Sequence, residues 1–280
     1  MTAESPTVRL SLESRPETLT LVRGMLGGVA DQLVIDPELL DDLKTAVSEA
    51  CNNVVMHAYG GEPGPMNVSL YVGSEAIRVI VRDSGVGIPP LLQIDDRSPG
   101  VGLPVIRALA VEAQFKRRPE GGTEVEMGFA GRRDGKALFN RPVGTSGPDD
   151  GWPDYASGAV AVSLSPVELL SGVLGRLARA LAASAHFSLD RFSDVYLISD
   201  ALAAHAATSA SGPRIGCRLN ASTRRLELTV GPFRAGSGAP FRADAPESAA
   251  SRALRLSDQL TVERDGDGEL LHVVLIDHRT

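Results

Sequence analysis

The apolar positions of the chain pass through one succession of periods twice. In the first half an alternating stretch, VRLSL at 8–12, precedes LTLVRGMLGGVADQL and then ELLDDLKTAVSEACNNVVMHA at 38–58. Alternation at period two buries one face of a strand, and recurrence three and four residues apart buries one face of a helix. A strand followed by two helices is therefore predicted. MNVSLYVGSEAIRVIVRDSGVG at 66–87 returns to alternation as a strand pair, and a short helix and a closing hairpin, VEAQFKRRPEGGTEVEMGF, complete the half. The second half repeats the order with AVSL at 161–164, VELLSGVLGRLARALAASA, LDRFSDVYLISDALAAHA at 189–206, IGCRLNASTRRLELTVGPFRAG at 215–236 and LSDQLTVERDGDGELLHVVLI. The two strand pairs align without a gap. Matched segments in one order predict a tandem repeat of an α/β unit, each copy an α+β two-layer sandwich.

Between the copies, residues 131–159 are dense in Gly, Pro, Asp and Ser and carry no sustained apolar period. A linker is predicted there. It separates a domain at 1–130 from one at 160–280, each long enough for a core of its own. The length of 280 residues fits two domains at about 100–200 residues each.

Charge and composition narrow the classes. Acidic residues outnumber basic ones, 35 against 28, which argues against a general electrostatic grip on nucleic acid or an anionic membrane. No stretch approaches the roughly 18 consecutive apolar residues of a membrane span, and MTAESPTVRL lacks the basic and apolar regions of a signal peptide. The two cysteines, Cys51 and Cys217, are too few for a disulfide framework or a cysteine metal site. They read as buried thiols in a reducing cytoplasm.

Three places in the first half carry candidate chemistry. Glu49, Asn53 and His57 recur every four residues along the second helix and share a slowly drifting face. Leu43, Ala46, Val47, Ala50 and Val54 supply an apolar face beside them. A carboxamide oxygen suits a hard cation, and a carboxylate one turn away suits work as a general base. The same spacing also describes a solvated polar stripe, with His57 a helix-end histidine. Next, a strand ends in Asp83 and runs into Ser84-Gly85-Val86-Gly87. A strand-end carboxylate can accept from an exocyclic amine, although Asp and Gly are also plain turn residues. Finally, Gly100 and Gly102 lead into a helical run expected to begin at Pro104. Such a helix N-terminus suits phosphate, but neither the Walker nor the Rossmann spacing is present.

Taken in order, these segments resemble the Bergerat-fold ATP-binding superfamily, which includes gyrase, a heat-shock chaperone, the histidine kinases and MutL. The carriers are EACNNVVMHAY at 49–59, DSGVGI at 83–88, GVGL at 100–103 and Thr123 after Gly-Gly. Within it, the small domain, the short segment between the glycine boxes and the His-Ala-Tyr ending look most like the anti-sigma-factor serine kinases. The resemblance implies ATP and Mg2+ as cofactors. Asn53 would ligate magnesium, Glu49 would be the general base toward a serine hydroxyl, and His57 would lie at the nucleotide. Asp83 would read the adenine amine, with Gly85 and Gly87 shaping that wall and Thr123 supporting it. Gly100, Gly102 and Leu103 would cover the phosphates. Pro104, directly after the second box, departs from the pattern. The implied partners are a STAS-domain anti-anti-sigma protein and a sigma factor, in the cytoplasm.

The second half keeps the pattern without these residues. Its strand alignment puts Pro232 opposite Asp83, Arg234 opposite Gly85 and Gly236 opposite Gly87. No Asn falls opposite Asn53, because 201–205 read Ala, Leu, Ala, Ala, His; Asp200 could replace Glu49 in one register. DAPESAASRAL has no glycine where the second glycine box belongs, although RAGSG by itself resembles a phosphate loop. A degenerate copy follows, acting as an internal partner in a pseudo-dimer, as part of a homo-oligomer, or as a docking surface. Two functions compete: a serine/threonine protein kinase acting on a STAS-domain protein, and a non-catalytic, nucleotide-dependent module that sequesters a regulator.

Overall fold

The computed structural model describes residues 5–73, 75–86, 102–133, 136–137, 158–241 and 249–278. The chain divides into two compact units, Met1–Gly144 and Thr145–Thr280. In the first, β1 (Val8–Glu13), α1 (Thr18–Leu33), α2 (Pro37–His57), β2 (Pro65–Val72), β3 (Ala76–Asp83), α3 (Gly102–Leu109), β4 (Glu112–Arg117) and β5 (Thr123–Ala130) follow in sequence. Their strands lie side by side as β1-β2-β3-β5-β4, and every pairing is antiparallel.

Period two decides what each sheet face does. Val8, Leu10 and Leu12, Met66, Val68 and Leu70, Ile77, Val79 and Val81, and Val125, Met127 and Phe129 are all buried. They form the core with Leu21, Met25 and Val29 of α1 and Leu43, Val47 and Val54 of α2. The opposite face carries charge. Arg82 Nε stands 2.7 Å from Glu124, Arg78 3.3 Å from Glu126, and Lys116 Nζ 3.0 Å from Glu126. These half-exposed pairs each contribute at most about 1 kcal/mol. Continuing the core parity to the strand ends brings Asp83 and Thr123 onto the buried face, where they are 3% and 8% exposed.

Local signals set the helix that matters most. Asp36 caps α2, its carboxylate accepting from the Glu38 N–H at 3.0 Å, and Pro37 opens the first turn. Both are favoured there because the first N–H groups lack intrahelical partners. At the other end the Ala58 N–H closes on Val54 O.

A two-stranded ribbon, β6 (Arg132–Arg133) and β7 (Lys136–Ala137), stands inside the stretch expected to be linker. The second unit then runs β8 (Ala159–Leu164), a 3-10 turn at Val167–Leu169, α4 (Leu170–Ser184), α5 (Leu189–Ser209), β9 (Ile215–Ser222), β10 (Arg225–Arg234), a 3-10 turn at Ala239–Phe241, α6 (Ala249–Leu254), β11 (Gln259–Asp265) and β12 (Gly268–Ile276). Its strand order is β8-β9-β10-β12-β11, the same topology as the first unit, again antiparallel throughout. Cys51 and Cys217 are free and buried, and burial pushes the Cys51 thiol up to about 12.

Candidate functional site

The site is built where α2 ends beside the last residue of β3. Asp83 Oδ1 accepts from the Gly85 N–H at 2.8 Å. The N–H and hydroxyl of Thr123, the first residue of β5, lie near the same carboxylate and favour its charged form. Burial nonetheless raises the Asp83 pKa, against the pull of those hydrogen bonds and of the Arg118 guanidinium. Arg118 also donates to the Asp83 carbonyl at 3.0 Å and pairs with Glu120.

Two glycines are there for space. A Cβ on Gly85 would lie 2.0 Å from Ala58 O, and the next residue, Val86, donates its N–H to that oxygen at 2.9 Å. A Cβ on Gly122 would lie 2.2 Å from Asp83 O, and its φ of +84° is a region side chains avoid. Gly85 thus brings the turn after Asp83 against the end of α2, and Gly122 brings its own turn against the Asp83 strand end, each closer than any other residue would allow.

Tyr59 ties the arrangement together. Its hydroxyl donates to Pro65 O at 2.6 Å and accepts from the Ser84 N–H at 2.8 Å. Its ring fills the space of a Cβ on Gly64, which would come within 2.4 Å. One side chain therefore links the end of α2, the start of β2 and the turn after Asp83. Sequence reading used Tyr59 only as a motif letter and passed over Arg118. The Gly-Gly doublet before Thr123 was a readable signal for the tight turn, but nothing local announced the partners of Tyr59 or Arg118.

The remaining expected residues fall as follows. Glu49 and Asn53 are half-buried on α2, and His57, in its last turn, is exposed; Leu43, Ala46, Val47, Ala50 and Val54 are buried beside them. Gly102 and Leu103 open α3, which packs against α2. The helix thus starts two residues before the expected Pro104, which sits in its first turn, where a proline's missing N–H costs little. Gly87 and Gly100 lie outside the described residues. Among the described residues no three His, Cys, Asp or Glu side chains gather into a metal cluster.

The helices of the two units can be laid side by side. α2 and α5 are both 21 residues long. Laid end to end, they match Val47, Ala50, Cys51 and Val54 with Ser199, Leu202, Ala203 and Ala206, all buried. On that end-to-end match Ala201 falls opposite Glu49, His205 opposite Asn53 and Asp200 opposite Ser48. In the strands Val68 pairs with Val81, and Cys217 with Val230. This is the ungapped alignment that puts Pro232 opposite Asp83.

Residues 12–129 match a family model described as histidine kinase-like ATPase domain. A serine-protein kinase RsbW of Bacillus pumilus is 38% identical over 28% of this chain and 50% of its own length. Another, from Bacillus velezensis, is 39% identical over 28% of this chain and 49% of its own. An anti-sigma F factor of a Thermoanaerobacter species is 28% identical over 43% of this chain and 90% of its own length. The chain spans about half the length of the RsbW proteins it matches. Among solved structures, one titled as crystal form I of TP0453 covers 98% of the chain at 11% identity and a TM-score of 0.37, too low to bear on the fold.

Proposed function

Residues 12–129 being a histidine kinase-like ATPase domain of the Bergerat type, similar to anti-sigma-factor kinases, we propose that the chain binds Mg-ATP there. We propose further that it phosphorylates a serine or threonine of a STAS-domain anti-anti-sigma protein, and thereby frees or captures a sigma factor in the cytoplasm. No described helix is long and apolar enough to cross a membrane.

The observation that carries the reading is the Asp83 carboxylate. A carboxylate offers about four acceptor positions, and the Gly85 N–H fills one of them on Oδ1 at 2.8 Å. The other oxygen of Asp83 suits an exocyclic amine such as that of adenine, with Gly85 keeping the backbone close to α2. ATP, when bound, supplies the transferable phosphoryl group. Magnesium in such sites rests on one or two protein oxygens together with phosphates and water, and Asn53 offers one amide oxygen for it. Glu49, one turn earlier, would take the proton of the attacking hydroxyl. His57, Gly87, Gly100, Gly102 and Leu103 complete the nucleotide wall in this reading. The second unit, domain 160–280 after a linker at 131–159, is read as a degenerate copy of the same domain that holds no nucleotide.

Calorimetric titration of wild type and Asp83→Asn with Mg-ATP, followed by labelled-phosphate transfer to co-encoded STAS proteins, tests this. Expected are one ATP per chain, binding lost in Asp83→Asn, and transfer that falls about 100-fold or more in Glu49→Ala with binding retained. Absence of ATP binding sinks the reading. Binding without transfer to any of these proteins favours a nucleotide-dependent sequestering module instead.

A further inference from the structure

The glycine loop after β10 already has an anion in it, and the anion belongs to the chain. Glu269, the second residue of β12, is 6% exposed. Its Oε1 accepts from the Gly236 N–H at 2.9 Å and its Oε2 from the Gly238 N–H at 2.8 Å. The loop is folded for this. Gly236 has a φ of +81°, and Ser237, Ala239 and Phe241 donate back to Arg234, Gly236 and Gly238 as the loop tightens into its 3-10 turn. Convergent amides of this kind form a nest for carboxylate or phosphate.

The position of Glu269 gives this meaning. Val81 pairs with Val125 in the first unit, and Val230 with Leu271 in the second. Two residues earlier on the last-named strands, Glu269 therefore stands opposite Thr123. The acid next to the loop has moved from the end of β3, where Pro232 now stands, to the neighbouring strand. A bulge in β10 between Val230 and Phe233 accompanies the change. Opposite Asn53 stands His205, its ring 4.8 Å from those of both Phe233 and Phe241. Its buried Nε2 has no hydrogen-bond partner among the described residues.

We propose that the loop at 236–238 is an anion site whose permanent ligand is the Glu269 carboxylate, and that small carboxylates or inorganic phosphate occupy it only when that side chain is removed. The second unit is then closed on itself without any nucleotide, and the phosphate-loop likeness of RAGSG reflects a nest that is already filled. The comparison of positions rests on reading the second unit as a copy of the first, but the ligand assignment does not depend on ATP binding anywhere.

Amide exchange of Gly236 and Gly238 in the full chain, read by NMR, decides it. Expected are slow exchange in wild type and exchange at least about tenfold faster at both amides in Glu269→Ala. Formate at about 0.1 M should slow both again in the variant and leave wild type unchanged. Glu269→Gln keeps a single carbonyl acceptor, so one amide should stay slow and the other become fast, which gives a reading even if the alanine variant folds poorly. Unchanged exchange in the variants, failure of formate to restore protection, or a slowing of these amides in wild type by Mg-ATP overturns the proposal. A wild type that binds no ATP at all leaves this measurement intact and sinks only the kinase reading.

Discussion

In the first unit the buried acid is Asp83, on β3, and it accepts from the Gly85 N–H beside Thr123 of the neighbouring strand. In the second, Glu269 and Asp277 are both buried, and Glu269, on β12, accepts with one oxygen from Gly236 and with the other from Gly238 in the loop that follows β10. The strand order around Asp83 and Glu269 is the same, and β2 pairs with β3 as β9 pairs with β10, but a bulge in β10 shifts its register against β12 at Glu269. The longer side chain on the neighbouring strand reaches two amides at once, one with each oxygen, whereas the short one at the strand end reaches a single loop amide with one oxygen. The same strand order thus carries a buried acid on either of two adjacent strands, and the strand that bears it sets how many loop amides it reaches.

The largest expected effect breaks this contrast at its glycines. Gly85→Ala places a methyl group 2.0 Å from a backbone oxygen that has no room to retreat. It should cost at least about 1–3 kcal/mol of stability and abolish nucleotide binding. Gly236→Ala meets nothing within 4 Å, so its cost is only that of a φ of +81°, about 1–2 kcal/mol. Urea unfolding of both variants, with Mg-ATP titration of each, checks the pair. Retained ATP binding in Gly85→Ala would mean that the close approach to Ala58 is not what shapes the site.

Much of this was legible along the chain. Period two carried Asp83 onto the core face, because Val79 and Val81 precede it at the same parity, and the strand pairs aligned without a gap. What escaped were links set by register and turn geometry, which periodicity does not fix. Tyr59 reaches Ser84 across 25 residues, Arg118 reaches the Asp83 carbonyl across 35, and Glu269 reaches Gly236 across 33. His205 could be placed opposite Asn53 only once α5 had a beginning and an end. The ribbon at Arg132–Ala137 was hidden by the glycine and charge content of its neighbours.

A smaller effect sharpens the role of Tyr59; two residues past the end of α5 stands Ser211, whose hydroxyl donates to the Pro232 carbonyl at 3.1 Å. Tyr59→Phe keeps the ring over Gly64 but removes the hydroxyl between Pro65 and Ser84. The Ser84 N–H is solvent-exposed and water can replace the lost acceptor, so the cost should stay near 1 kcal/mol. An ATP Kd raised about fivefold, with the transfer rate at saturating ATP unchanged, is the expected outcome. A lowered rate at saturation would place Tyr59 in the chemistry rather than behind Asp83.

The smallest effect concerns what an open acceptor costs. Burial holds the Asp83 pKa above its ordinary value of 3.8. Below that pH the carboxyl is protonated in the folded and the unfolded chain alike and contributes nothing. Between 3.8 and the raised folded value the folded chain binds more proton than the unfolded one, so stability falls as pH rises. Above both values the cost of an ionised, buried acid is fully present. Asp83→Asn does not titrate, so the stability of wild type relative to this variant should fall as pH rises through that window and then level off. Urea unfolding at stepped pH measures it. A difference that rises with pH instead would mean that Gly85, Thr123 and Arg118 together outweigh burial. In that case the first unit, like the second, would satisfy its acid internally, and the contrast between them would have to rest on Asn53 and Glu49 alone.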